Sequence, residues 1–128
     1  MKQLIIYASL LGFILVGFTG CYKDVILPDA AVDPDAPPQA VSFKNDIAPF
    51  VASHCGLSGC HVSGTVHKPY MTSPGAYEQI VNGGYVNTLI AKQSILYIKI
   101  NGEMKEYIPS AVDRQKIYDW IRNGAPNN

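Results

Sequence analysis

Apolar positions along the chain follow three different patterns, and each predicts a different kind of segment. Residues 4–20 carry no charge and show no alternation of polar and apolar faces. Lying directly behind Lys2, they have the form of a secretory signal rather than of a folded element. A membrane-spanning anchor is the alternative, because seventeen uncharged residues approach the length of a bilayer span. The position at the start of the chain and the presence of Ser9, Thr19, Gly12, Gly17 and Gly20 weigh against it. In residues 22–40 the apolar pattern gives way to Pro28, Pro34, Pro37 and Pro38 interleaved with Asp24, Asp29, Asp33 and Asp35. Proline there excludes a helix interior and favours extended backbone, so these residues predict a tether. The remaining residues, 41–128, form one domain without an internal repeat.

Within that domain the periodicity is helical. Phe43, Ile47, Phe50 and Val51 fall on one face, and Pro49 fits only a first turn, so a helix is expected from about residue 46 to 54. Ser73 and Pro74 suggest a cap and first helical position for a second helix through Val81, closed by Asn82-Gly83-Gly84. Ser94 suggests a cap for a third, residues 95–100, whose nearly unbroken apolar sequence predicts burial. The last helix has the clearest signals: Ser110 and Asp113 as a capping box, Ile117, Trp120 and Ile121 as the stripe, and Gly124 with Pro126 as the stop. Four short helices define an all-α domain with little apolar surface of its own to bury.

Charge narrows the partners. Removing residues 1–20 takes one lysine and leaves a net charge near −1, with no basic stripe or cluster, which argues against nucleic acid. Of the three cysteines, Cys21 follows Phe18-Thr19-Gly20 at the end of the apolar run. That arrangement resembles the bacterial lipobox, in which the cysteine is lipid-modified and becomes the first residue of the mature protein. The resemblance implies a domain lipid-anchored in the cell envelope, facing periplasm or cell surface. Export also puts Cys55 and Cys60 in an oxidising compartment.

Those two cysteines lie in His54-Cys55-Gly56-Leu57-Ser58-Gly59-Cys60-His61. Two thiols can each add to one vinyl group of a haem, and a histidine directly after the second cysteine can offer a ring nitrogen to the iron. Four residues rather than two separate the cysteines, and on a regular helix that offset turns the side chains about 140° apart. The extra residues must therefore loop out, for which Gly56 and Gly59 supply the freedom. Two other readings compete. A Cys55–Cys60 disulfide would make a structural or interaction lipoprotein without haem; Cys55, Cys60, His61 and His67 are four possible zinc ligands, although their spacing fits no common zinc module. Phe43, Phe50, Tyr77, Leu96, Ile117 and Trp120 are available to enclose a haem or to pack against one another.

Taken together, Val41-Ser42-Phe43-Lys44-Asn45-Asp46-Ile47-Ala48-Pro49-Phe50, the cysteine–histidine site, Ser94-Ile95-Leu96-Tyr97, and the closing Ile117-Tyr118-Asp119-Trp120-Ile121-Arg122-Asn123-Gly124-Ala125-Pro126-Asn127-Asn128 resemble small c-type cytochrome domains of bacterial exported proteins. The four-residue spacer resembles a variant attachment motif of some multihaem c-type cytochromes. These resemblances imply a cytochrome c-like fold around one covalent haem c, with Cys55 and Cys60 as attachment sites and His61 as the proximal ligand. In that family a methionine some sixteen residues before the terminal-helix tryptophan is the distal ligand, which is the position of Met104 relative to Trp120. The usual adjacent proline is missing, since Met104 is followed by Lys105-Glu106-Tyr107-Ile108-Pro109, and Met71 and His67 are the alternatives. The implied function is electron transfer to or from a redox partner protein of the cell envelope rather than catalysis. An iron that Met104 failed to bind would instead be open to small ligands.

Overall fold

The computed structural model describes residues 32–72 and 74–128. The expected signal segment, Cys21 and the Ser73 cap lie outside the described residues. Among these residues there are four α-helices and no β-strand: α1 (Ala48–His54), α2 (Ala76–Val81), α3 (Ile95–Asn101) and α4 (Ala111–Arg122). The all-α expectation therefore holds.

Local chemistry explains most of the helix boundaries. A wide turn, Phe43–Ile47, precedes α1, and in it the amide of Ile47 bonds back five residues to the Ser42 carbonyl at 3.2 Å. Ser42 and Asp46 cap this turn reciprocally: Ser42 Oγ accepts from the Asn45 amide at 3.2 Å, and an Asp46 carboxylate oxygen accepts from the Ser42 amide at 2.8 Å. The wide turn brings Phe43, Ile47 and Val51 onto one buried face, while Pro49 falls within the first turn of α1, where its missing N–H costs nothing. In α4, Ser110 Oγ accepts from the Asp113 amide at 3.2 Å as expected, and Gly124 at φ +88° ends the helix.

Three expectations need correction. The second helix does not begin at Pro74: Gly75 takes φ +103°, a left-handed conformation outside the helix, and α2 starts after it. Nor is α3 wholly buried. Only Leu96 and Ile100 are enclosed, and Ile95 and Ile98 are about half exposed. Ser94 precedes α3 without capping it, because its hydroxyl is committed to the backbone of Asn87.

The core gathers on α4. Ile117, Trp120 and Ile121 are fully enclosed, and Trp120 packs against Phe43 at 5.3 Å between ring centroids and Tyr77 at 6.5 Å. Burial of each large apolar side chain contributes about 1.5–3 kcal/mol, and the offset aromatic contacts add to it. Trp120 Nε1–H donates to the Pro126 carbonyl at 3.0 Å and Tyr77 hydroxyl to that of Ala125 at 2.9 Å, so the tail after α4 is drawn onto the core. Asn128 then closes on the start of the domain, accepting from the Lys44 amide at 2.9 Å and Ser42 Oγ–H at 3.0 Å.

The end of the expected tether is also part of the fold. Buried Asp119 accepts from the Gln39 amide at 3.1 Å, Asn123 donates to the Gln39 carbonyl at 2.7 Å, and Asp35 pairs with Lys92 at 2.8 Å. Residues 35–39 are thus a strap bound to the domain, because the backbone polar groups that proline leaves free of any helix find partners on it.

Candidate functional site

Cys55 caps the C-terminus of α1, its amide bonded to the Val51 carbonyl at 2.8 Å. The chain then loops out and returns: the Cys60 amide donates to Leu57 at 2.9 Å and the His61 amide to Cys55 at 3.0 Å. The two glycines serve this loop for different reasons. Gly59 has φ +80°, whereas at Gly56 a Cβ would come within 2.8 Å of both the Ala52 carbonyl oxygen and Thr72 Cγ2.

His61 is held at three points. Besides its amide bond to Cys55, its carbonyl accepts from the Met71 amide at 2.8 Å, and its Nδ1 lies 2.9 Å from the Pro69 carbonyl oxygen. A carbonyl can only accept, so Nδ1 donates the proton of this bond, and Nε2 is the ring nitrogen not engaged by it. The connecting loop is internally braced: Thr65 Oγ1–H lies within reach of the Cys60 and Val62 carbonyls, at 2.8 and 2.9 Å, and Tyr70 donates to Thr65 at 3.1 Å.

Cys55, Cys60, His61, His67, Met71 and Met104 line one cavity of about 450 Å³. The size falls in the range of small-molecule and cofactor pockets, and Ile95, Leu96, Ile100 and Tyr85 make much of its wall apolar. Of the side chains available to enclose a ligand, only Leu96 lines this cavity. Phe43, Tyr77 and Trp120 pack on one another instead, Ile117 is buried in the core, and Phe50 stacks on His54 at 4.2 Å. His54 itself contributes to the wall, with Nδ1 3.0 Å from the Phe50 carbonyl oxygen.

Both cysteines of the cavity are free thiols. Burial, with a smaller contribution from neighbouring Cys60, pushes the Cys55 thiol up to about 11, which keeps it neutral. The His61 and His67 imidazoles lie 6.5 Å apart between ring centroids. Among the described residues no group of three or more His, Cys, Asp or Glu side chains is placed to hold a metal ion.

Met104 reaches the cavity from the other half of the domain, in the loop after α3. Its amide donates to the Lys99 carbonyl at 2.9 Å and its side chain is half-buried. Without the adjacent proline, this loop is held from outside by Arg114. Nearly buried on α4, its guanidinium donates to the Ile108 carbonyl, to that of Pro109 at 2.6 Å and to Asn101 Oδ1 at 3.2 Å. Sequence reading missed this residue, which resembles any surface cation of an amphipathic helix. The available signal was its position four residues after the Ser110 cap, which directs it back toward the incoming loop.

The donor set fits a covalently attached haem: two unpaired thiols, one imidazole with its second nitrogen committed, and a thioether, all on one largely apolar cavity. No protein-family model, curated protein or solved structure matches the chain.

Proposed function

We propose that this chain is a lipid-anchored, monohaem c-type cytochrome of small cytochrome c-like fold, which passes electrons to or from a redox partner protein of the cell envelope. The observation that carries this reading is the convergence of Cys55, Cys60, His61 and Met104 on one cavity, from segments more than forty residues apart. Bound haem supplies a one-electron ferric–ferrous couple. Cys55 and Cys60 would hold it through thioethers to its two vinyl groups, for which their free thiols suffice without an oxidant.

His61 offers Nε2 to the iron, with the Pro69 carbonyl fixing the tautomer and increasing the basicity of the ligand. Met104 is the proposed second ligand, and a thioether there sets a higher reduction potential than a second imidazole. Cys21 supplies the lipid that keeps the domain at the membrane.

The test is the visible spectrum of the exported chain, oxidised and reduced, after denaturing extraction that strips non-covalent haem. A reduced c-type spectrum that survives extraction is expected, and Cys55→Ala and Cys60→Ala should each impair covalent retention. A colourless protein with no free thiol would replace this reading with a disulfide-bonded lipoprotein. Met104→Ala should lower the potential and open the iron to added ligand, whereas an unchanged spectrum and potential would move the second ligand to Met71 or His67.

A further inference from the structure

Leu89 and Ile90 are adjacent aliphatic residues on a turn before α3, 94% and 52% exposed. Their exposure is built in. Asn87 Oδ1 accepts from the Leu89 amide at 3.1 Å and the Ile90 amide at 3.0 Å, fixing the backbone of the turn. Buried Ser94 braces its base, accepting from the Asn87 amide at 2.8 Å and donating to the Asn87 carbonyl at 3.2 Å. The turn therefore presents two large apolar side chains to the outside on a rigid base. From residue 79 to 91 there is no charge, and the first cation is Lys92.

Lys92 is also where the N-terminal strap meets this part of the fold, through its 2.8 Å pair with Asp35. Cys21 precedes Asp35 by fourteen residues. At about 3.1 Å per residue for extended, proline-rich backbone, that length spans roughly 40 Å at most. A domain of this size has a radius of gyration of about 13 Å, so an anchored domain stays within about its own width of the bilayer. The chain leading to the anchor thus departs beside the turn that carries the exposed pair.

We propose that the Leu89–Ile90 turn is a membrane-contacting tip, seated at the boundary between headgroups and acyl chains of the bilayer that holds the anchor. This rests on the reading of Cys21 as lipidated. Two aliphatic side chains bind a bilayer weakly alone, but a lipid anchor makes their insertion intramolecular, so a small apolar contact suffices to set orientation. Lys92, at the edge of the charge-free stretch, suits the headgroup layer. A second copy of the chain is a poorer occupant, because a stable interface needs about 800 Å² from each partner and this patch is two side chains wide.

The experiment uses the full lipidated chain in phosphatidylcholine–phosphatidylglycerol vesicles carrying a photoactivatable diazirine in the acyl chain, with lipid adducts mapped by peptide mass spectrometry. Adducts on Leu89 and Ile90, enriched several-fold over apolar Val66, which is as exposed as Leu89, are expected, with loss in the Leu89→Asn/Ile90→Asn double variant. A chain that floats with the vesicles yet shows no enrichment at Leu89 and Ile90 overturns the tip while leaving the anchor intact. Failure to float overturns the anchor and the tip together.

Discussion

Arg114 offers the sharpest test of how the second half of the site is held. Its guanidinium donates to the Ile108 and Pro109 carbonyls and to Asn101, thereby fastening both ends of the Met104 loop to α4. Hydrogen bonds from a charged donor are each worth about 1.5–3 kcal/mol, and Ile108 is almost wholly enclosed, so water has poor access to the carbonyls left behind. Arg114→Ala should therefore lower stability by about 3 kcal/mol. With a urea dependence of about 1–1.5 kcal/mol per molar for a domain of this size, the unfolding midpoint should fall by roughly 2–3 M. Arg114→Lys should lose about half as much, because a single ammonium cannot reproduce the planar fork. In the haem-loaded chain the freed loop should weaken the far-red sulfur-to-iron band before the protein unfolds. A loss below about 1 kcal/mol with the band intact would refute the reasoning, because it would mean that the loop holds its own shape.

Three further outcomes follow from particular contacts. The Cys55 thiol, raised by burial from 9.0 to about 11, stays protonated in the fold at pH values where the unfolded chain releases the proton. Stability of the haem-free chain should accordingly be full below pH 9 and fall by about 2 kcal/mol as pH rises to 11, beyond the loss seen in Cys55→Ala, as read from urea midpoints; the loaded chain, its thiol consumed, should not show this difference. Gly56→Ala, whose Cβ would meet a backbone oxygen at 2.8 Å, should cost more than Gly59→Ala, whose Cβ meets open space and carries only the strain of positive φ, about 1 kcal/mol; equal thermal denaturation shifts would contradict this. Asp119→Ala removes the acceptor of Gln39, Gln115 and Arg122, so it should destabilise by about 3 kcal/mol and speed limited proteolysis within residues 33–40.

What could be read in advance depended on how local the governing interaction is. Ser110 and Asp113, three residues apart, meet through one turn of backbone, and the Ile117, Trp120 and Ile121 stripe follows from 3.6 residues per turn, so α4 was legible in full. The loop between Cys55 and His61 was legible for the same reason: Cys55, two glycines, Cys60 and His61 are close in the chain, and a regular helix would have turned the two cysteines apart. The start of α2 was misread because Pro74 is compatible with a first turn, and nothing local announces that Gly75 adopts φ +103°. The exposure of Ile98 was misread because an apolar helix in sequence says which residues can be buried, not how many neighbours exist to cover them, and that of Ile95 because nothing local announces the cavity it lines.

The sequence by itself determined the helical class, the positions of the main turns and the chemical identity of the donors, since periodicity, caps and residue type act over a few positions. Tertiary structure decided which of those donors meet. Met104 meets Cys55, Cys60 and His61 on one cavity from a loop that Arg114 ties to α4, and Phe43, Tyr77 and Trp120 are spent on the core rather than on the cavity wall. The strap at Gln39 finds Asp119 eighty residues away, a contact that no local pattern encodes. The physical reason is common to all three: each such contact is selected by the packing of the whole chain, because only there do buried polar groups and apolar faces compete for the same few partners.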